Sequence, residues 1–235
     1  MTAHPLDNPV WHALVGPHAG FAIGSGAARH YPRDVTPFSA IAEPTAAAYA
    51  DLAADLPAGL EARLFRPIKE PALPGWDTIS ARPITQMVLE NPGELPAFAR
   101  KASIFPLGRD DVGDMRALVD LARPGPFGPR TIELGSYAGV REAATGRLIA
   151  MGGERFRLSS YVELSAIAVH PEFRGRGLGA AVTVRLAYAA LARGLTPFLH
   201  VFPDNPATAL CARLGFRERT RLWVVWRRPT QEGAE

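Results

Sequence analysis

The sequence predicts a mixed α/β (α+β) fold: a mostly antiparallel, twisted sheet flanked by helices and preceded by a smaller α/β N-terminal lobe. Three observations predict it. From about Ala102 onward, strand-like and helix-periodic runs follow one another in the order β-α-β-β-β-α-β-α-β. The three consecutive strand-like runs in the middle are joined by the short turns "AATG" and "LSS", which imply antiparallel hairpins. The chain of 235 residues is 47% hydrophobic and 21% charged, enough apolar content for one large domain or two modest ones.

Taken in order, residues 8–15, 45–56 and 83–89 read as helices, and residues 61–67 and 76–81 as strands. This part, 1–101, is expected to be a lobe without a recognisable chemical motif. Residues 102–235 form the second unit. It opens with the strand "ASIFPLG". In the helix "RDDVGDMRALVDLA" that follows, Val112, Met115, Leu118 and Leu121 share a face. A stiff loop, "RPGPFGPR", leads into "TIELGSYAGVRE", "GRLIAMGGERFR" and "SSYVELSAIAV", all strand-like. A long helix comes next, then the strand "PFLHVF", a short helix in "PATALCARLGF" ending at Gly215, and the strand "RERTRLWVVWRR".

Composition narrows the function classes. No run approaches the roughly 18 apolar residues of a membrane span, and "MTAHPLDNPVW" lacks the basic-then-apolar layout of a secretory leader. A cytoplasmic protein with no membrane partner is expected. Cys211 is the only cysteine, which excludes an internal disulfide and a cysteine-based zinc cluster. His4, His12, His18 and His30 match no zinc spacing, so they read as surface or capping residues and no metal is expected. The net charge of +3 is scattered along the chain apart from "RERTRLWVVWRR", which alternates as a strand with a solvated face, so no nucleic-acid partner is expected.

The most informative stretch runs from "YVELSAIAV" through "HPEFR" and "GRGLG" into the long helix. There Ala180, Ala181, Val184, Ala187, Tyr188 and Leu191 recur at helical spacing. A helix N-terminus carries unpaired N–H groups and about half a positive charge. Glycines let an anion reach those groups, an arrangement suited to a phosphate or diphosphate. The alternative is that the glycines only start a tightly packed helix. Gly175, Gly177 and Ala180 also satisfy the dinucleotide fingerprint G-x-G-x-x-G/A. Against that reading, "HPEFR" separates strand from glycines, the preceding strands form a meander, and Asp204, the acid nearest the required distance, sits inside the turn "PDNP".

"AIAVHPEFRGRGLGAAVT" resembles the acyl-CoA site of the GNAT superfamily of N-acetyltransferases, whose signature Gln/Arg-x-x-Gly-x-Gly/Ala is met by Arg174, Gly177 and Gly179. "HVFPDNPATALCARLGF" is similar to the superfamily's second marker, an Asn after a strand followed by a short helix ending Leu-Gly-Phe. The resemblance covers about residues 102–228. It implies a GNAT-type sheet in an acyl-CoA-dependent N-acyltransferase. Such an enzyme transfers acetyl from acetyl-CoA, its cosubstrate, to a primary amine of a small molecule or protein. It also implies that two strands splay apart and that the pantetheine arm pairs with exposed backbone at Ile167, Ala168 and Val169. The diphosphate is then expected on the amides of Arg174, Gly175, Arg176, Gly177, Leu178, Gly179 and Ala180. Arg174 or Arg176 would add a charge-assisted contact, unless they are plain solvent-facing loop residues. Asn205 resembles the Asn that bonds the pantetheine amide; a helix N-cap is its alternative role, and the two are compatible.

For catalysis, the Val169 N–H is the expected donor to the thioester carbonyl. Glu163 is the expected base; strand parity puts it on one face with Tyr161, Ile167 and Val169. Its alternative is an ion pair with Arg155 or Arg157, and Glu154 is a weaker candidate. Relatives carry Leu-Tyr where this chain has Leu210-Cys211, so Cys211 is the candidate leaving-group acid, with packing as its alternative. His200 reads as a core histidine rather than a catalyst. The loop 124–130, with Phe127, is expected near the acceptor. A homodimer is compatible with the sequence. The rival reading from another class is a non-catalytic acyl-CoA-binding sensor or interaction module.

Overall fold

The computed structural model describes residues 4–97 and 103–230. Helix α1 (Pro9–Leu14) begins on a proline, whose fixed φ suits a first helical position. Strands β1 (Ala28–His30) and β2 (Ser39–Ile41) form a small antiparallel pair. Helix α2 (Ala46–Asp55) is capped by the Thr45 hydroxyl, which accepts from the Ala48 N–H at 3.1 Å. There follow β3 (Ala62–Arg66), β4 (Trp76–Val88), β5 (Phe105–Leu107), α3 (Val112–Ala122), β6 (Tyr137–Arg141), β7 (Leu148–Arg157) and β8 (Tyr161–Val169). The chain closes with α4 (Leu178–Leu191), β9 (Thr196–Val201), α5 (Ala207–Arg213) and β10 (Arg217–Pro229).

Eight strands make one sheet in the order β3-β10-β4-β9-β8-β7-β6-β5. Every neighbouring pair is antiparallel except β8–β9, which is parallel. The mixed, mostly antiparallel sheet and the element order after residue 102 agree with the sequence reading. β3 and β4, from the segment 1–101, lie in the same sheet as the strands that follow, with β4 between β9 and β10.

One face of the sheet is covered by α1, Tyr31 and Phe38, which pack on Phe65, Phe156 and Phe198, and by α3, whose Met115 and Leu118 pack on Met151 and Ala168. The other face carries α4 and α5, packed on Ile149, Leu164 and Leu199. Phe156, Phe198 and Phe216 are fully buried; each such burial contributes about 1.5–3 kcal/mol.

Four local expectations differ from the structure. Residues 83–89 are not a helix; β4 continues to Val88 because it pairs with both β9 and β10, and that tertiary pairing decides a run with a helix-compatible Pro83 start. β1 and β2, three residues each, are too short to show alternation in sequence. Thr131–Leu134 forms a single 3-10 turn, so the strand begins only at Tyr137. In α4 the buried side chains are Val182, Thr183, Val184, Leu186, Ala187 and Ala190, whereas Tyr188 is exposed. The helix is apolar nearly all round, so its spacing did not single out one face.

Candidate functional site

The site is built around a parting of strands. β8 and β9 pair only through Tyr161–Thr196, Val162–Pro197 and Glu163–Phe198. Beyond that vertex β8 runs on to Val169 and β9 to Val201 without further pairing to each other. β8 keeps β7 on its far side and β9 keeps β4. The inner edges from Leu164 to Val169 and from Leu199 to Val201 therefore face a wedge.

Backbone polarity along the wedge follows from register. His170 N–H donates to the Ile149 carbonyl at 2.8 Å, and Ala168 lies opposite Met151. In an antiparallel ladder the residue between two hydrogen-bonded pairs turns its N–H and C=O to the opposite edge. Val169, opposite Ala150, therefore directs both groups into the wedge. A bulge interrupts β8 just before this point. Ala166 has a left-handed φ of 54°, and the register to β7 shifts there. The extra residue reverses side-chain parity, which corrects the sequence expectation. Glu163 faces the N-terminal segment, while Ile167 and Val169 pack toward α4.

At the wide end of the wedge lies the glycine turn. Gly175 and Gly177 have φ of 75° and 77°, and a Cβ on either would meet no atom within 4 Å. Such left-handed positions favour glycine. Gly177 caps α4, and its carbonyl accepts the first intrahelical bond, from Ala181 N–H at 3.0 Å. Among the described residues no protein acceptor takes the N–H groups of Gly175, Arg176, Gly177, Leu178, Gly179 or Ala180. The Arg174 N–H, expected in the same row, is instead turned to the Pro171 carbonyl at 3.3 Å. The remaining amides and the helix dipole make an anion cradle. The Arg174 and Arg176 side chains are both exposed; Arg176 stacks on Phe173, 4.7 Å from the ring centre, and donates to the Glu172 carbonyl at 3.2 Å.

The vertex is charged and sealed. Glu163 is fully buried, with Arg155 Nε on one carboxylate oxygen at 2.8 Å and the Arg155 terminal nitrogen on the other at 2.5 Å. His200 Nδ1–H donates to the same carboxylate at 2.8 Å. Burial pushes the carboxyl upward, but Arg155 and His200 more than offset it and hold its pKa down at about 2. Burial also lowers the His200 pKa, against the pull of Glu163, so the imidazole is neutral. Both oxygens of the Glu163 carboxylate, the expected base, are thus engaged inside the core. The ion pair held as its alternative is present, with Arg155 rather than Arg157. Glu154 is likewise buried, in an ion pair with Arg193 at the far end of α4.

Asn205 is exposed beyond β9, and its Oδ1 accepts from Ala207 N–H at 2.9 Å at the start of α5. Cys211 is buried on α5 in the cluster with Leu89, Leu214 and Phe216, and burial pushes its thiol up to about 11. The loop 124–130 is pinned to the N-terminal segment: Arg130 N–H donates to the Asp34 carbonyl at 3.0 Å, and Phe127 packs edge-on against Tyr137. Of the tempting histidines, His4 caps the first turn, His18 bonds the Tyr31 hydroxyl at 2.9 Å and His30 bonds backbone. Among the described residues no cluster of His, Cys, Asp or Glu is placed to hold a metal, and no helix is long and apolar enough to cross a membrane.

Sequence reasoning missed Gln86, Arg219 and Asp7, which continue the buried network beyond His200. Gln86 Nε2 donates to His200 Nε2 at 3.0 Å, Arg219 Nε donates to Gln86 Oε1 at 2.6 Å, and Arg219 pairs with Asp7. No local signal marks them, because the partners are more than a hundred residues apart.

The chain is similar to known proteins in sequence and in fold. A family model described as FR47-like protein matches residues 137–224. An acetyltransferase of Photorhabdus laumondii is 38% identical over 79 residues, 32% of this chain; the match spans 52% of that curated relative, about half its length. A solved GNAT-family structure from Novosphingobium aromaticivorans is 36% identical, covering 97% of this chain and 100% of that one, with a TM-score of 0.88. A GCN5-related N-acetyltransferase from Kribbella flavida, at 19% identity, shares the fold with a TM-score of 0.59 over 95% of this chain and 97% of that one.

Proposed function

The chain belongs to the GNAT family of acetyltransferases, and on that premise we propose that it transfers an acetyl group from acetyl-CoA to a primary amine of a small molecule or protein. The observation that carries this reading is the row of unpartnered amides from Gly175 to Ala180 opening into the wedge between β8 and β9. The fit to a CoA thioester is physical. The left-handed glycines leave room where an anion would sit, and the wedge exposes strand backbone to which an extended amide-bearing arm can pair.

Acetyl-CoA brings an already activated acyl group, so the protein's part is mainly placement. The amides of Gly175 through Ala180 hold the diphosphate, and the exposed Arg174 and Arg176 side chains stand beside them to add charge. The Ile167–Val169 edge aligns the arm, and the Val169 N–H is the donor aimed at the acyl oxygen. Asn205 keeps its bond to the Ala207 N–H and offers its amide N–H groups to the arm. Neither Glu163 nor Cys211 moves a proton in this reading. Glu163 is locked as an anion. A thiol held near 11 gives its proton to an ordinary thiolate, of pKa about 8.5, only uphill. The reacting amine is the free-base fraction, or one relieved of its proton through water.

The same two residues favour one second reading, an acyl-CoA sensor without turnover. Thiol release from acetyl-CoA, followed with a panel of primary amines and free-N-terminus peptides, separates the two. The proposed function predicts at least one amine that accelerates release about 100-fold or more, well within what placement alone can supply. Donor binding with no amine acceleration overturns it in favour of the sensor.

A further inference from the structure

One residue from each of five adjacent strands meets in a single row across the sheet. Arg155 (β7) pairs with Glu163 (β8), Glu163 with His200 (β9), His200 with Gln86 (β4), and Gln86 with Arg219 (β10). The row ends on the N-terminal turn, where Arg219 pairs with Asp7 and the Gln86 amide also donates to the Leu6 carbonyl at 2.9 Å. The His200 side chain is fully buried, stacked on Phe65 at 4.4 Å between ring centres and edge-on to Phe198.

His200 holds a particular place in that row. The β8–β9 ladder stops at Glu163–Phe198. His200 lies two residues past the last pair, on the parting strand, and its imidazole reaches back to the Glu163 carboxylate. This bond joins the two strands on the far side of the vertex, where the backbone no longer does. Gln86, directly opposite His200 in the β4–β9 ladder, fixes the tautomer by donating to Nε2, which leaves Nδ1–H for Glu163. Each polar atom of the imidazole is thus committed.

We propose that His200 is a positioning residue that sets how far β8 and β9 part, and that Gln86, Arg219 and the turn at Leu6–Asp7 brace it. The inference rests on the acetyl-transfer reading for its kinetic consequence, but its structural consequence stands apart. Under it the segment 1–101 has a role in the site: it anchors the end of a crossbar whose other end fixes the wedge. A displacement of about 1 Å in a reacting pair costs on the order of 100-fold in rate, so a slackened wedge lowers turnover without touching the anion cradle.

The test uses the full chain with His200→Leu, His200→Asn and Gln86→Leu. Asn retains an N–H donor near the Nδ1 position and is the rescue variant. Two readouts are taken: kcat and KM for acetyl-CoA with the best amine, and hydrogen exchange at Leu164–Val169 and Leu199–Val201. His200→Leu is expected to lower kcat about ten-fold or more, within the cost of misplacement, while KM for acetyl-CoA changes less than about three-fold. Gln86→Leu is expected to move the same way by a smaller factor. Exchange rises at both inner edges in His200→Leu, and His200→Asn restores kcat and protection. Unchanged exchange in a folded His200→Leu overturns the proposal. So does a loss of stability with kcat per folded molecule intact, or failure of Asn to rescue while Gln86→Leu is silent. If the wild-type chain turns over no amine, the functional reading fails, and the exchange pattern alone still decides whether His200 sets the wedge.

Discussion

The two ends of the wedge are built in opposite ways. The wide end is a cradle of main-chain amides on consecutive residues, exposed, shaped by two left-handed glycines and needing no side chain. The vertex is a buried row of charged and polar side chains from five strands, anchored on the N-terminal turn. The proposed ligand grip and the buried polar pairing thus lie in different places. Nothing in the protein packs into the cradle, so a change there is expected to reach a bound anion rather than the fold. A change at the vertex is felt by the fold, since Arg155, Glu163, His200 and Gln86 are buried and paired there.

The largest expected effect breaks the vertex. Arg155→Leu leaves Glu163 buried with only a neutral partner, and should cost about 3–5 kcal/mol in urea unfolding, the usual penalty for an orphaned buried charge. A loss below about 1 kcal/mol would place the pair among weak surface bridges instead. Acid gives the next largest effect, with its sign fixed by the depressed pKa of Glu163. A carboxyl held near 2 when folded and about 4.3 when unfolded contributes stability above the unfolded value and loses it as pH falls toward the folded one. The contribution is about 3 kcal/mol. Between pH 6 and pH 3 the urea midpoints of both should fall as carboxylates such as Asp111 and Glu133 protonate, but that of Glu163→Gln should fall less than the wild type's, so the gap between them narrows. A constant gap would mean the carboxyl is not depressed. A much smaller effect probes the margin of the cradle side: Asn205→Ala removes the bond to Ala207 N–H and should cost about 0.5–1.5 kcal/mol, the net worth of one hydrogen bond. Any weakening of acetyl-CoA binding beyond that change in stability would assign Asn205 to the ligand as well.

The same contrast explains what could be read from sequence. The cradle is contiguous, so Arg174, Gly177 and Gly179 announce it, and the strand–turn–helix around it follows from local periodicity. The element order after residue 102 is legible for the same reason. The vertex is not local. Gln86 and His200 stand 114 residues apart, and Arg219 and Asp7 stand 212 apart; only the folded sheet brings them together. Glu163 was visible as a carboxylate on the right strand, yet its facing was not, because the bulge at Ala166 flips parity with an ordinary alanine that carries no glycine or asparagine signature. Residues 83–89 form strand rather than the expected helix for a related reason: a short apolar run takes the structure of the strands it pairs with. Cys211 stands where the resemblance places a leaving-group acid, and its burial beside Leu89, Leu214 and Phe216 leaves no local mark in the sequence.

The most direct test of the central claim, that main-chain amides at the start of α4 grip the CoA diphosphate, is calorimetric titration of acetyl-CoA into the wild type, Gly177→Asn and Gly177→Glu. Asparagine tolerates a left-handed backbone, so it controls for strain, which costs other residues about 1–2 kcal/mol. Glutamate sets a negative charge and bulk where the anion should lie. The expected result is a loss of about 100-fold or more in affinity for Gly177→Glu, about 2.7 kcal/mol, with Gly177→Asn much closer to wild type and both variants folded by circular dichroism. Wild-type affinity in a folded Gly177→Glu would contradict the claim.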